Sequence, residues 1–307
     1  MHYERLKFRL KTTSLMILPP YKGGIFRGAF GFAFRKVVCP VLKNECSSCM
    51  LKKQCLYTTL FEPQPPVHFK DLPKFKSAPP PYILNPPLTS KQVFHSRETM
   101  EFDMVLTGKA IEAIPYIVYA FHELGKYGIG KERGKYEIVA VYAQRQDSDI
   151  KIYDGESQTL NICSDKNEFS PVSEDEHRTL LTLEFITPLR LKNKGKLVHN
   201  LTFPIFFKRL GSRISLLQTF YGTGTTSFDL NLLNKKAQDI EICEYNLHWY
   251  EWSRYSGRQK TDMNLGGLKG TIKIKGELGQ LMPLIRFGEL FNAGQGTSFG
   301  LGRYILS

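Results

Sequence analysis

The hydrophobic positions of this chain run twice through one pattern. Residues 4–11 (ERLKFRLK) alternate charged and apolar side chains, the period of a half-buried strand. Helical spacing follows at Phe26, Phe30, Ala33, Phe34 and Val37. A strand is predicted within 98–111 (ETMEFDMVLTGKAI), then a helix through Ile114, Ile117, Val118, Phe121 and Leu124. GIGKERGKYEIVAVY (128–142) closes this round with a glycine loop and an apolar run. The second round opens on LLTLEFITPLRLK (180–192). It continues as a helix through Phe203, Phe206, Phe207, Leu210, Ile214 and Leu217, with Lys208, Arg209 and Arg213 turned away. Strands are predicted at 246–255 and 268–278, and a helix through Leu281, Leu284, Ile285, Gly288 and Phe291. GQGTSFGLGRYIL (294–306) repeats the closing loop, with Tyr304 standing where Tyr136 stood.

The repeated order is β-α-β-β-α-β. It predicts an α+β chain of two tandem ferredoxin-like, RRM-like domains, at 1–145 and 179–307. The second strand of the first round is poorly marked. Residues 61–88 (FEPQPP, SAPPPY, NPPL) are too proline-rich for a helix or a central strand, and are expected to wrap the first domain in extended form. Residues 146–178 are polar and acidic and read as the connection between domains.

Composition narrows the partners. Hydrophobic residues make up 42% and charged residues 23%, which excludes a disordered chain, a collagen and a coiled-coil rod. Lys plus Arg number 42 against 29 Asp plus Glu, a net +13 that favours a polyanionic partner. The N-terminal MHYERLKFRLKTTS has no apolar signal region, and no stretch reaches the ~20 apolar residues of a membrane span. A cytoplasmic protein without a membrane partner, monomeric or homodimeric, is expected.

Four of the six cysteines are crowded into one segment. Cys39, Cys46, Cys49 and Cys55 give C-x6-C-x2-C-x5-C, and soft sulfur ligands at that spacing select zinc or an iron–sulfur cluster. Four thiolates would leave no open coordination position, so the metal would be structural and the insertion a metal-binding one. The alternative is reduced cysteines packed as small hydrophobes.

The glycine loops match neither a phosphate-binding Walker loop nor a dinucleotide fingerprint, and both lead from helix to strand. Two readings stay open. The backbone at Gly128, Gly130 and Gly134, and at Gly294, Gly296, Gly300 and Gly302, could approach a phosphodiester with Lys131, Arg133 or Arg303 beside it. Alternatively, both loops are tight turns that need positive φ. Residues 249–270 interleave Trp249, Trp252 and Tyr255 with Arg254, Arg258 and Lys260, types that stack unpaired bases and track phosphates. The histidines (His2, His68, His95, His122, His177, His199, His248) form no pair at metal-ligand spacing. Neither G-x-S-x-G nor H-E-x-x-H occurs.

GGIFRGAFGFAFRKVVC, the cysteine cluster, PPPYILNPP, GIGKERGKYEI, LEFITPLRL, RYSGRQ and GTSFGLGRYIL together resemble the CRISPR-associated RAMP proteins. Among these they are most similar to the endoribonuclease that processes precursor CRISPR RNA, the Cas-six type. The resemblance implies two ferredoxin-like domains that bind CRISPR repeat RNA. It also implies metal-independent cleavage by 2′-hydroxyl attack, leaving 2′,3′-cyclic phosphate and 5′-hydroxyl ends. No cofactor is then needed for catalysis. Many members place a general-base histidine in the first helix, whereas 26–38 here has Phe32 and no histidine. The remaining candidates for chemistry are Tyr21, Arg27, Arg35 and Lys36. Arg27 and Arg35 share one flank of the helix and Lys36 occupies the other. The alternative functions are an inert crRNA-binding subunit of an effector complex and, disfavoured for want of a recognition helix after the cysteines, a zinc-finger DNA binder.

Overall fold

Alternation along the first strand is realised as β1 (His2–Thr12), whose Leu6, Phe8 and Leu10 are buried and whose Arg5, Lys7 and Arg9 point away from the core. The structure, a computed structural model, describes residues 1–42, 45–65, 78–163, 165–169, 177–222, 228–256 and 261–307. It divides into unit 1 (Met1–Glu168) and unit 2 (Phe169–Ser307).

In unit 1, β1 leads to α1 (Gly23–Val38), α2 (Leu56–Phe61), β2 (Tyr82–Asn85), β3 (Thr99–Thr107), α3 (Ile114–Tyr127) and β4 (Tyr136–Gln144). These strands pair antiparallel in the order β2-β3-β1-β4, the order of a split βαβ unit. α1 ends where Cys39 turns extended ahead of Pro40, since a residue before proline disfavours the helical region. Its buried face meets β1, β3 and α3 in an aromatic core. Phe8 stacks on Phe102 at 4.6 Å and Phe30 on Phe121 at 4.9 Å.

Unit 2 repeats the plan with β5 (Leu180–Leu189), α4 (Phe203–Tyr221), α5 (Leu230–Lys236), β6 (Glu241–Tyr250), β7 (Gly267–Lys275), α6 (Met282–Phe291) and β8 (Tyr304–Leu306). Its strand order is β6-β7-β5-β8, again antiparallel throughout. α3, α4 and α6 each carry proline in the first turn, where the missing N–H costs nothing. Both closing tyrosines do the same work. Buried Tyr136 donates its hydroxyl to the Phe121 carbonyl, and Tyr304 to that of Ile285. Each helix presents a glycine to its tyrosine, because a Cβ at Gly125 would strike Tyr136 and one at Gly288 the Tyr304 hydroxyl.

Two segments differ from the sequence expectation. The second strand of unit 1 is YILN, inside the proline-rich stretch and buried at all four positions. Proline is tolerated there because β2 is the edge of the sheet, paired only with β3, and the prolines flank the bonded residues. Part of the acidic connection, 149–168, belongs to the first sheet. Asp149–Asp154 pairs with β4, Thr159–Leu160 with Asp149–Asp154, and Asn167–Glu168 with β1. Its strand character is hidden because an outer strand buries little, here only Ile152 and Tyr153 of six residues. Among the described residues, no helix is long and apolar enough to cross a membrane.

Candidate nucleic-acid interface

In unit 2 the end of β5 gathers the glycine loop, a basic hairpin and one flank of α4. The hairpin pairs Lys192–Asn193 with Lys196–Leu197 through Lys194 and Gly195, both at positive φ. That is the geometry of a two-residue type I′ turn. Lys192, Lys194 and Lys196 are exposed, and among the described residues no carboxylate pairs with them. Arg209 of α4 donates to the Asn193 side chain at 3.3 Å. Arg190 donates to the Gly266 carbonyl at 2.8 Å, and its own carbonyl accepts from Gln295 in the glycine loop at 2.9 Å.

Arg213 of α4 closes the C-terminal end of α6, donating to the carbonyls of Phe291 (2.9 Å) and Asn292 (3.0 Å). A cation there complements the negative end of the helix dipole. Burial pushes the guanidinium pKa down to about 10. The loop itself is a packed turn. Gly294, Gly296, Gly300 and Gly302 all have positive φ, and a Cβ at Gly294 or Gly302 would strike the carbonyl of Arg190 or Ala293. The amides of Ala293, Gln295, Phe299, Gly300, Leu301, Gly302 and Arg303 all bond within the chain. The same holds in unit 1, where Gly128 faces the Arg133 carbonyl, Gly130 that of Ile17, and Gly134 meets Met16. Tight turns therefore require these glycines, and beside them Lys131 and Arg133 are exposed while Arg303 is half-buried.

An aromatic pair extends this basic region. Exposed His199 lies on Trp249 with centroids 4.2 Å apart, and the indole N–H donates to Glu251 at 2.8 Å. Glu251 also accepts from the Gly266 amide, which joins the pair to Arg190. Trp252, by contrast, is buried. Ser253–Ser256 and Thr261–Asn264 form a hairpin. The Arg254 side chain, Arg258 and Lys260 lie outside what is described. Sequence reasoning passed over Lys192, Lys194, Lys196, Arg190 and His199, although NKGK between apolar residues is a legible turn signal.

In unit 1 the candidates for chemistry separate. α2 covers the flank of α1 that carries Arg27 and Arg35. Arg27 lies 5.0 Å from the Phe61 ring and Arg35 5.7 Å from that of Tyr57, while Phe61 and Tyr57 stack at 4.9 Å. Arg27 lies near Tyr82, whose hydroxyl burial pushes up to about 12 against the opposing effect of that arginine's charge. Arg35 bonds Cys39 and lies near Cys46. Tyr21 is half-exposed, and its neighbour Lys22 is fully buried, donating to the Thr89 carbonyl at 2.6 Å. Desolvation lowers the Lys22 pKa. Lys36 is exposed, whereas Tyr21, Arg27 and Arg35 are half-buried. The four cysteine thiols are half-buried and free, and among the described residues no group of three or more His, Cys, Asp or Glu side chains is placed to hold a metal ion.

The outward face of the first sheet carries no net surplus of cations. Along β1, Arg5, Lys7, Arg9 and Lys11 pair with Asp103, Asp149, Glu101 and Glu137 respectively. A face neutralised pair by pair attracts phosphate less than the unpaired lysines of the unit 2 hairpin.

Known proteins give independent findings. The family model of the AF_1859 N-terminal domain matches residues 1–164, and that of CRISPR-associated endoribonuclease Cas6 matches residues 183–304. An uncharacterized protein of Archaeoglobus fulgidus is 28% identical over 312 residues, covering 98% of this chain and 96% of its own. A Cas6 product complex superimposes with TM-score 0.60 at 15% identity, with 100% of both chains covered. Thermus thermophilus Cas6 gives 0.57 at 13%, covering 100% of this chain and 98% of its own. At these identities the two structures show a shared fold.

Proposed function

We propose, for a chain that belongs to the CRISPR-associated RAMP proteins of the Cas6 type, that it is a sequence-specific endoribonuclease acting on CRISPR repeat RNA. The 2′-hydroxyl attacks the adjacent phosphate, the bond to the 5′ oxygen breaks, and 2′,3′-cyclic phosphate and 5′-hydroxyl ends result, with no metal ion in the chemistry. One proton leaves the nucleophile and one reaches the departing oxygen. The protein's task is in-line positioning and stabilisation of the charged phosphorane. Lying within the stretch matched by the endoribonuclease family, the unpaired lysines at 192, 194 and 196 beside the His199–Trp249 pair carry this reading. They supply phosphate contacts and a stacking surface for an unpaired base.

Its partners are then the repeat RNA and the processed crRNA, handed on to an effector complex. Of the residues considered for chemistry, Arg27 and Arg35 would act from beneath α2, while Tyr21 and Lys36 are reached from solvent. A second reading, an inert subunit that holds the guide, is favoured by one observation: α1 carries no histidine. The two separate in one experiment. Repeat RNA from the chain's own genome is incubated with protein in excess EDTA and the product ends are mapped. Cyclic phosphate ends, lost on 2′-deoxy substitution at the scissile nucleotide while binding persists, support the nuclease. Binding without cleavage under any condition leaves the inert subunit.

A further inference from the structure

Away from the basic hairpin of unit 2, α1 and α3 of unit 1 hold a cation in a fixed place on the surface. Phe32 and Lys36 stand one turn apart on α1, and Tyr127 ends α3. The Lys36 ammonium lies 4.5 Å from the centre of the Phe32 ring and 4.3 Å from that of Tyr127. The rings meet edge to face at 6.4 Å. Both are poorly covered for aromatic side chains, Phe32 being 55% and Tyr127 45% exposed. Among the described residues no carboxylate pairs with Lys36. On α3, Glu123, one turn before Tyr127, is engaged by Lys126 at 2.7 Å.

Two features point to what this cluster binds. A surface lysine normally sweeps through many rotamers, whereas here two ring faces hold the ammonium and reduce the ordering cost of meeting an anion. One further turn back on the same stripe of α1 stands Gly28, where an added Cβ would meet nothing within 4 Å. Packing does not require that glycine, and it leaves open space beside the Phe32 ring. A fixed cation, bare aromatic surface and room for a planar group match the components of one unpaired nucleotide. Uncompensated positive charge favours a polyanion over an apolar protein surface.

We propose that Phe32, Lys36 and Tyr127 form a nucleotide subsite for single-stranded RNA, with a phosphate on Lys36 and its base on the exposed ring surface beside Gly28. The subsite deepens the RNA-binding reading and rests on it. It makes Lys36 a phosphate-binding residue, and Phe32, at the place where a histidine was looked for, a base-stacking one.

The test measures affinity for the repeat RNA and for a short oligouridylate over a range of salt, with melting temperature as a check on folding. Lys36→Ala should weaken both RNAs and reduce the slope of log affinity against log salt by about 0.7, the share of one phosphate of a single strand. Phe32→Ala should weaken both on the order of tenfold, within the range of a lost stacking contact, and leave the salt slope unchanged. Gly28→Met should melt no lower than wild type, because it adds a better helix former in open space, and yet bind less tightly by filling the base position. An unaltered slope and affinity in Lys36→Ala, with wild type binding normally, overturns the subsite alone. Failure of wild type to bind repeat RNA would instead overturn the underlying reading. A surface meant for a protein partner would show itself as normal RNA affinity in all three variants, which also overturns the proposal.

Discussion

Gly302→Ala tests whether the closing loop of unit 2 is shaped by its own packing. Gly302 has φ +70, and an added Cβ would strike the Ala293 carbonyl across the loop. Adopting that φ costs a residue with a Cβ about 1–2 kcal/mol. Relieving the collision means parting segments joined by Ala293 N–H to the Gly302 carbonyl (2.8 Å) and Gly302 N–H to the Pro188 carbonyl (2.9 Å). Each of those bonds contributes roughly 0.5–1.5 kcal/mol. The total is about 2–5 kcal/mol, a large part of the ~5–15 kcal/mol that stabilises an ordinary domain. At about 3 °C per kcal/mol, unit 2 should melt about 6–15 °C lower. Gly195→Ala is the matched control, with φ +81 and open space around the added carbon. It should cost about 1–2 kcal/mol from the backbone alone. Thermal unfolding of both variants, followed by circular dichroism, decides the matter. Equal losses would refute the collision argument, as would a Gly302→Ala variant that melts with wild type.

Arg213→Gln should destabilise unit 2 by about 2 kcal/mol, since charge-assisted bonds to the end of α6 are lost; urea unfolding that matches wild type would show that water replaces them. Although the four thiols are not placed here to hold an ion, their spacing makes metal analysis a direct test: about one zinc per chain, lost together with melting temperature in Cys46→Ser and Cys49→Ser, would support a structural site, and a metal-free chain of unchanged stability would defeat it. The Asp154 carboxyl is held down at about 2 by Lys151 and by the amides of Ser157 and Glu156. Because the folded value lies below the unfolded one, its contribution is complete above about pH 4 and is lost as pH falls through about 2. The gap in melting temperature between wild type and Asp154→Asn should therefore close across that window, and a constant gap would contradict the assignment.

The sequence alone determined much of the fold, because side-chain period reports which face is buried. Leu6, Phe8 and Leu10 declared β1, the spacing of Phe26, Phe30 and Phe34 declared α1, and the matched endings at Tyr136 and Tyr304 declared the repeat. It also placed Arg27 and Arg35 on one flank and Lys36 on the other, which follows from 3.6 residues per turn. What period cannot report is what lies against a flank. Only the tertiary structure put α2 over the arginines and left Lys36 in solvent between two rings. β2 stayed hidden between prolines, and Asp149–Asp154 behind acidic residues, because a strand towards the margin of a sheet is recruited by its neighbour's unpaired backbone more than by its own pattern. The glycines were visible from the start. That a carbonyl is packed where a Cβ would stand at Gly128, Gly130, Gly294 and Gly302 is visible only in the tertiary structure.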